Sequence, residues 1–170
     1  TQRGAQVTGI DMGEAPLAVA ELHALDNQLT IEYKRITAEQ IALERPEQYD
    51  IVTCLEMLEH VPDPAAIVNA CANLCKPGGH LYFATINRNP KSYLFAIVGA
   101  EHILRLLPKG THDYEKLIKP SELHHWIRAS GLSLKDSTGM TYNPLTQQYK
   151  LKSNNLDVNY LLHAIKPASQ

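Results

Sequence analysis

The chain has 170 residues, 44% of them hydrophobic and 20% charged, close to the averages for soluble globular domains. That composition excludes a disordered tail, a collagen-like fibre and a disulfide-stapled miniprotein, and the length suits one domain with a real core. Sixteen Lys and Arg against eighteen Asp and Glu leave a net charge of −2, so no global basic field attracts nucleic acid.

In chain order, strand and helix signals alternate. Residues 6–10 (QVTGI) read as a short strand, and 14–25 as a helix with Pro16 in its first turn. Residues 29–33 alternate apolar and polar side chains, the pattern of a half-buried strand. Residues 49–54 (YDIVTC) are nearly continuously apolar, which suits a strand covered on both faces. A helix over 64–75 is stopped by Lys76-Pro77-Gly78-Gly79, and 80–86 (HLYFATI) is the next strand. A long helical insertion begins at Lys91. Residues 120–130 form another helix ending at Gly131, and strands over 132–138 and 158–165 follow, separated by a polar loop. This alternation predicts an α/β fold with a mainly parallel sheet and helices on both faces.

Cys54, Cys71 and Cys75 read as reduced, buried thiols, because an odd number without paired spacing does not make a disulfide framework. The longest apolar stretch, 93–107, is broken by Glu101, His102 and Arg105, and is too short and too charged to span a bilayer.

In open parallel sheets, ligands sit beyond the carboxyl ends of the strands. That rule selects Asp11, the segment Thr37-Ala38-Glu39, residues 54–60 and residues 87–89. Asp11 in VTGIDMG suits hydrogen bonding to a ribose diol, and equally suits the cap of the helix that follows.

The runs YDIVTCLEMLEHVPDP (49–64), KPGGHLYFATINRNPKS (76–92), VGAEHILRLLPKGTHDYEKLIKPSEL (98–123) and DVNYLLHAIK (157–166) are more specific. Together with VTGID they closely resemble class I S-adenosylmethionine-dependent methyltransferases, and among these the O-methyltransferases of ubiquinone biosynthesis (the UbiG family). The resemblance covers essentially the whole chain. It implies a three-layer Rossmann-like fold, mainly parallel with an antiparallel C-terminal strand. It also implies methyl transfer from S-adenosylmethionine to a hydroxyl of a polyprenyl catechol or demethylubiquinol. By the same resemblance, Asp11 with Met12 holds the cofactor ribose, Thr37 and Ala38 line the adenine, and Leu55 contacts the methionine portion. The usual acidic residue at the adenine edge is Thr37 here. The implied setting is cytoplasmic, or the mitochondrial matrix, peripheral on the inner membrane and in a ubiquinone-biosynthesis complex.

Glu56, Glu59 and His60 form an E-x-x-E-H cluster. In a helix, Glu56 and Glu59 share a face and Glu56 pairs with His60 at i, i+4. Two carboxylates and an imidazole on one turn can gather a divalent cation such as magnesium; the same residues also suit a solvated loop or helix N-terminus. The resemblance implies the metal reading. A phenol of pKa near 10 must lose its proton before it attacks a sulfonium methyl. A chelating cation would help it do so, or His60 or Glu59 would act as general base.

The insertion, 91–119, reads either as a core helix or as a lid or membrane-interfacial element. Glu101, His102 and Arg105 form one narrow polar stripe, with Lys91, Lys109, Lys116 and Lys119 around it for an anionic surface. His112, in a loop closing over the substrate, is a further acid–base candidate and otherwise a surface histidine. The family's glycine-rich turn after the first strand is absent from the nine glycines. The expectation is therefore a partial methyltransferase domain over 1–170, missing its first βα unit. Its alternative is a truncated, noncatalytic remnant that binds a membrane or a partner.

Overall fold

The computed structural model describes residues 1–92, 114–143, 146, 148–153 and 155–168, which fall into two units, Thr1–Arg45 and Pro46–Gln170. In the first unit, Val7–Asp11 (β1) and Ile31–Arg35 (β2) pair in parallel, Val7 opposite Ile31 through Asp11 opposite Arg35. Between them runs Glu14–Asp26 (α1), which has Pro16 in its first turn as expected and buries Leu17 and Ala24. A short helix, Ala38–Glu44 (α2), closes the unit. Thr37 caps it: its hydroxyl accepts the Gln40 N–H at 3.2 Å, and the Gln40 side chain accepts the Thr37 N–H at 3.3 Å.

The second unit holds a five-stranded sheet in the order β3-β4-β7-β5-β6. Its strands are Tyr49–Leu55 (β3), Cys75–Ile86 (β4), Ser133–Asn143 (β5), Gln148–Lys152 (β6) and Asn159–Ile165 (β7). β3 and β4 are parallel, while β4 with β7, β7 with β5, and β5 with β6 are antiparallel. The α/β class and the antiparallel C-terminal strand agree with the sequence reading. The balance within the sheet is more mixed than mainly parallel, because the expected polar loop after residue 138 instead extends β5 and returns as β6. All five residues of β6 are exposed, so it has no buried face to print an apolar alternation in the sequence. Gly139 sits where that hairpin meets the following turn. A Cβ there would lie 1.5 Å from the Asn155 carbonyl oxygen, so only glycine fits.

Pro64–Leu74 (α3) and Pro120–Ala129 (α5) pack together and onto the sheet, and the short Pro90–Ser92 (α4) lies between them in sequence. Asp63 caps α3 by accepting the Ala66 N–H at 3.1 Å. α5 is stopped by Gly131 in the left-handed region, at φ 74°, as its sequence position predicts. The core combines Val68 and Cys71 of α3, Leu123 and Ile127 of α5, Leu81 and Phe83 of β4, and Tyr160 and Leu162 of β7. Along β7 the burial alternates strictly, with Tyr160, Leu162 and Ala164 inward. Cys54, Cys71 and Cys75 are buried thiols. Hydrogen bonding to Cys54, then burial, raises the Cys71 pKa well above that of a free thiol.

The Lys76-Pro77-Gly78-Gly79 turn expected before β4 lies inside the strand. The β3–β4 register steps from Tyr49 opposite Cys75 to Ile51 opposite His80, so the extra residues bulge out, with Gly78 at φ 81°.

Phe83 is 1% exposed, so Phe83→Ala is expected to destabilise the second unit by about 3–5 kcal/mol in urea unfolding. Leu151→Ala, on the exposed face of β6, is expected to change it by less than about 0.5 kcal/mol.

Candidate active site

In the first unit, Asp11 ends β1 and its Oδ1 accepts the Gly13 N–H at 2.6 Å. Gly13, not Asp11, is the N-cap of α1. The Asp11 carboxylate is thereby oriented by its own turn while staying exposed. Met12 beside it is 55% exposed, and its carbonyl accepts from Arg35 Nε at 3.1 Å. Thr37 spends its hydroxyl on the cap of α2, and Ala38 is buried under that helix. The T-x-x-Q pattern at 37–40 was the signal for this helix, which apolar periodicity missed because it spans only seven residues.

In the second unit, Leu55 ends β3 and is 52% exposed. The next residue, Glu56, takes φ 52°, a left-handed conformation uncommon for a non-glycine residue, and its N–H still donates to the Ala84 carbonyl at 2.8 Å. The chain then folds into one 3-10 turn, Leu58–His60. Glu56 thus lies outside that turn, and the helical face on which Glu56, Glu59 and His60 were expected to align does not form. Leu58 is fully buried and draws the turn against the core.

That turn buries Glu59 to 3% exposure. Glu59 Oε2 accepts a 2.7 Å hydrogen bond from Thr85 Oγ1, near the end of β4. Its Oε1 is buried with no hydrogen-bond partner. A carboxylate oxygen in that condition is costly, and such costs concentrate where an acceptor is used. Glu56 exposes side-chain surface, yet the protein around its carboxyl desolvates it. This burial first, then the Glu59 charge and a proton drawn toward Glu59, push its pKa up to about 7. Tyr160 stands behind the same acidic group. Burial, with Glu122, Glu59 and Glu56 nearby, raises its phenol pKa, and its OH donates to the Ile118 carbonyl at 2.9 Å.

His60 is exposed, with its backbone N–H bonded to the Met57 carbonyl at 2.9 Å. Among the described residues, no three His, Cys, Asp or Glu side chains come together in a way that would hold a metal ion. Glu56 and Glu59 are neighbours, but the three-residue ligand set is not assembled. His112 lies outside the described residues, as do residues 93–111 of the insertion. The described residues flanking that segment are tied to the carboxyl end of β4 and to the loop before β7. On the near side, Lys91 pairs with Asp157 at 2.5 Å, and Asn89 and Ser92 donate to the Asp157 carbonyl at 2.6 and 2.9 Å. On the far side, Ile118 N–H donates to the Ile86 carbonyl at 3.0 Å. The sequence reading passed over Thr85, whose signal was a lone hydroxyl in the apolar run HLYFATI.

Residues 1–83 match the family model described as a methyltransferase domain. In fold, the chain is similar to a solved SAM-dependent methyltransferase from Methanosarcina mazei, with a TM-score of 0.69 and 19% identity over 98% of this chain and 84% of that one. It is 65% identical to the ubiquinone biosynthesis O-methyltransferase of Stutzerimonas stutzeri, over 97% of this chain and 71% of that protein. The protein of the same name from Pseudomonas syringae pv. tomato is 63% identical over 98% of this chain and 71% of its own length. The fold is that of the class I SAM-dependent methyltransferases. The chain belongs to the ubiquinone biosynthesis O-methyltransferase family. Among the described residues, no helix is long and apolar enough to cross a membrane.

Because the Glu56 pKa is about 7 folded against an ordinary 4.5, the folded state holds more protons than the unfolded state between those values. Stability is therefore expected to fall as pH rises through this window, where the unfolded chain has already released the proton. Glu56→Gln is expected to flatten that fall, read as urea midpoints from pH 4.5 to pH 7. An unchanged slope in the variant would show that Glu56 titrates normally.

Proposed function

We propose that the chain transfers a methyl group from S-adenosylmethionine to a hydroxyl of a polyprenylated catechol or phenol in ubiquinone biosynthesis. The observation that carries the mechanism is Glu59, a buried carboxylate fixed on one oxygen by Thr85 and unpartnered on the other. An acceptor held in place and short of a donor is what a general base for a phenol requires. In this reading the phenolic proton passes to Glu59 Oε1. The deprotonated oxygen would then be the nucleophile for the methyl group that bound S-adenosylmethionine would supply, the carbon–sulfur electron pair staying with sulfur. Glu56, which is half-protonated near neutral pH, keeps a second acidic proton beside the first and limits the charge gathered there. Holding oxygen, carbon and sulfur nearly in line removes much of the remaining barrier.

S-adenosylmethionine, when bound, supplies a methyl group on a positively charged sulfur. The residues present fit parts of it. In the first unit, the exposed Asp11 carboxylate with Met12 suits a ribose diol, and Thr37 with Ala38 is assigned to the adenine by the family resemblance; in the second unit, taken by itself, exposed Leu55 suits the methionine portion. A divalent cation is a finer proposal. Glu56 and Glu59 would hold it, the unpartnered Oε1 being the natural donor atom, and it would lower the pKa of a chelated catechol. His60 would have to turn toward them to join as third ligand, and its exposure leaves it the weaker base candidate. His112 remains a proposal from the family resemblance. The basic residues of 91–119 suit an anionic membrane surface, but Lys91 is already neutralised by Asp157, which leaves that role to the others.

Glu59→Gln keeps the shape of the side chain but cannot take the proton, so kcat for a short-chain catechol is expected to fall about 10²–10⁴-fold with KM little changed. Activity within a factor of about two of the unmodified chain would remove Glu59 from the base role. Asp11→Ala is expected to weaken S-adenosylhomocysteine binding about ten- to hundredfold by calorimetry, the value of a hydrogen bond to a charged group. If a chelator leaves methyl transfer unchanged, the cation proposal falls while the Glu59 reading stands.

A further inference from the structure

The 3-10 turn that carries Glu59 also walls a cavity of about 250 Å³. Leu58, Val61, Pro62, Ile118 and the half-buried Trp126 supply its apolar surface. Leu58 and Val61 flank Glu59 and His60 in sequence. Ile118 hangs from Tyr160, the phenol whose pKa the same acidic pair helps to raise. The cavity therefore borders the 3-10 turn that carries the candidate base, although Glu59 itself is not part of its wall.

Its polar members favour an apolar occupant. Arg88, the one guanidinium in the wall, is already paired with Glu122 and donates to the Glu115 carbonyl at 3.0 Å. A hydrocarbon lying there meets a neutralised ion pair, while an anionic ligand would have to displace Glu122. Glu115 and Lys116 are exposed and can keep their charged ends in water. The volume also limits the occupant. Pockets that take a whole drug-sized ligand enclose roughly 300–1,000 Å³, so this one takes a segment of a molecule whose reactive part lies elsewhere.

We infer that this cavity receives the first isoprene units of the substrate's tail, and that Trp126 sets the preference for a prenylated over a bare catechol. The inference rests on the proposed function for the identity of the tail. Leu58, in the cavity wall, is the chain neighbour of the buried Glu59. A substrate with an acidic ring at one end and a hydrocarbon at the other fits that pair of environments.

Trp126 is the only tryptophan in the chain, so its fluorescence reports the cavity without any turnover. A catechol bearing a geranyl chain is expected to blue-shift its emission saturably. The Kd should lie at least about tenfold below that of the same catechol without the chain, the ratio for burying roughly two methylene groups. Val61→Asp, which places a charge on the wall, is expected to erase that difference with the circular dichroism spectrum unchanged. Equal affinities for the two ligands, no spectral change, or an unaffected Val61→Asp would each overturn the inference. In turnover, Trp126→Ala is expected to bring the kcat/KM ratio of the two catechols near one, with the bare catechol still methylated and Trp126→Phe restoring the ratio. Equal loss on both substrates would show a merely structural role and overturn it. Tail-dependent fluorescence without methyl transfer would sink the proposed function and leave the cavity assignment standing, and methyl transfer without it would do the reverse.

Discussion

Keeping the Glu59 carboxylate out of water is the constraint around which the second unit is arranged. A buried carboxylate with one oxygen unpaired costs on the order of 1–3 kcal/mol or more, so the surrounding elements must hold it there. β3 ends at Leu55, the backbone reverses through the left-handed Glu56, and the buried Leu58 pulls the following turn inward. Thr85 then meets the carboxylate from β4, which is possible because β3 and β4 lie side by side in parallel register. The contact that fixes the carboxylate joins residues far apart in sequence, since Thr85 and Glu59 are 26 positions apart. The site is a product of strand pairing.

The same end of the sheet anchors what surrounds the site. β7 enters between β4 and β5, which sets Tyr160 beneath the acidic pair and lets its hydroxyl hold the Ile118 backbone. The loop before β7 contributes Asp157, whose carbonyl and carboxylate collect Asn89, Ser92 and Lys91. Antiparallel pairing of β7 with β4 brings residues 155–158 to the carboxyl end of β4, the end at which a parallel strand presents ligand-binding groups. One topological choice therefore positions the phenol, the apolar cavity wall and the ties at both ends of the long insertion.

Much of the architecture was legible in the amino-acid sequence. The strand at 29–33 declared itself by alternation and those at 49–54 and 80–86 by apolar runs, and the helices α1, α3 and α5 carry Pro or acidic residues at their starts, with Gly131 just past α5. The elements that were missed lack those signals. β6 is exposed along its whole length, and α2 is too short to show a period, although its capping box was readable in Thr37 and Gln40. The Gly78-Gly79 pair was correctly taken as irregular backbone, but its irregularity is a bulge inside β4 and not a turn before it.

By itself, the sequence determined which residues would stand at the strand ends, because hydrophobic periodicity and the residues that interrupt it are local properties. Asp11, Leu55, Glu56, Glu59 and His60 were all found in this way. Tertiary structure decided how those groups differ in character. A left-handed residue at 56 turned an expected helical triplet into a buried carboxylate, a partly protonated one and an exposed imidazole. Burial and the approach of Thr85 and Tyr160 depend on contacts between distant segments, and the free energy of a charge depends on what surrounds it in space and not on its neighbours along the chain.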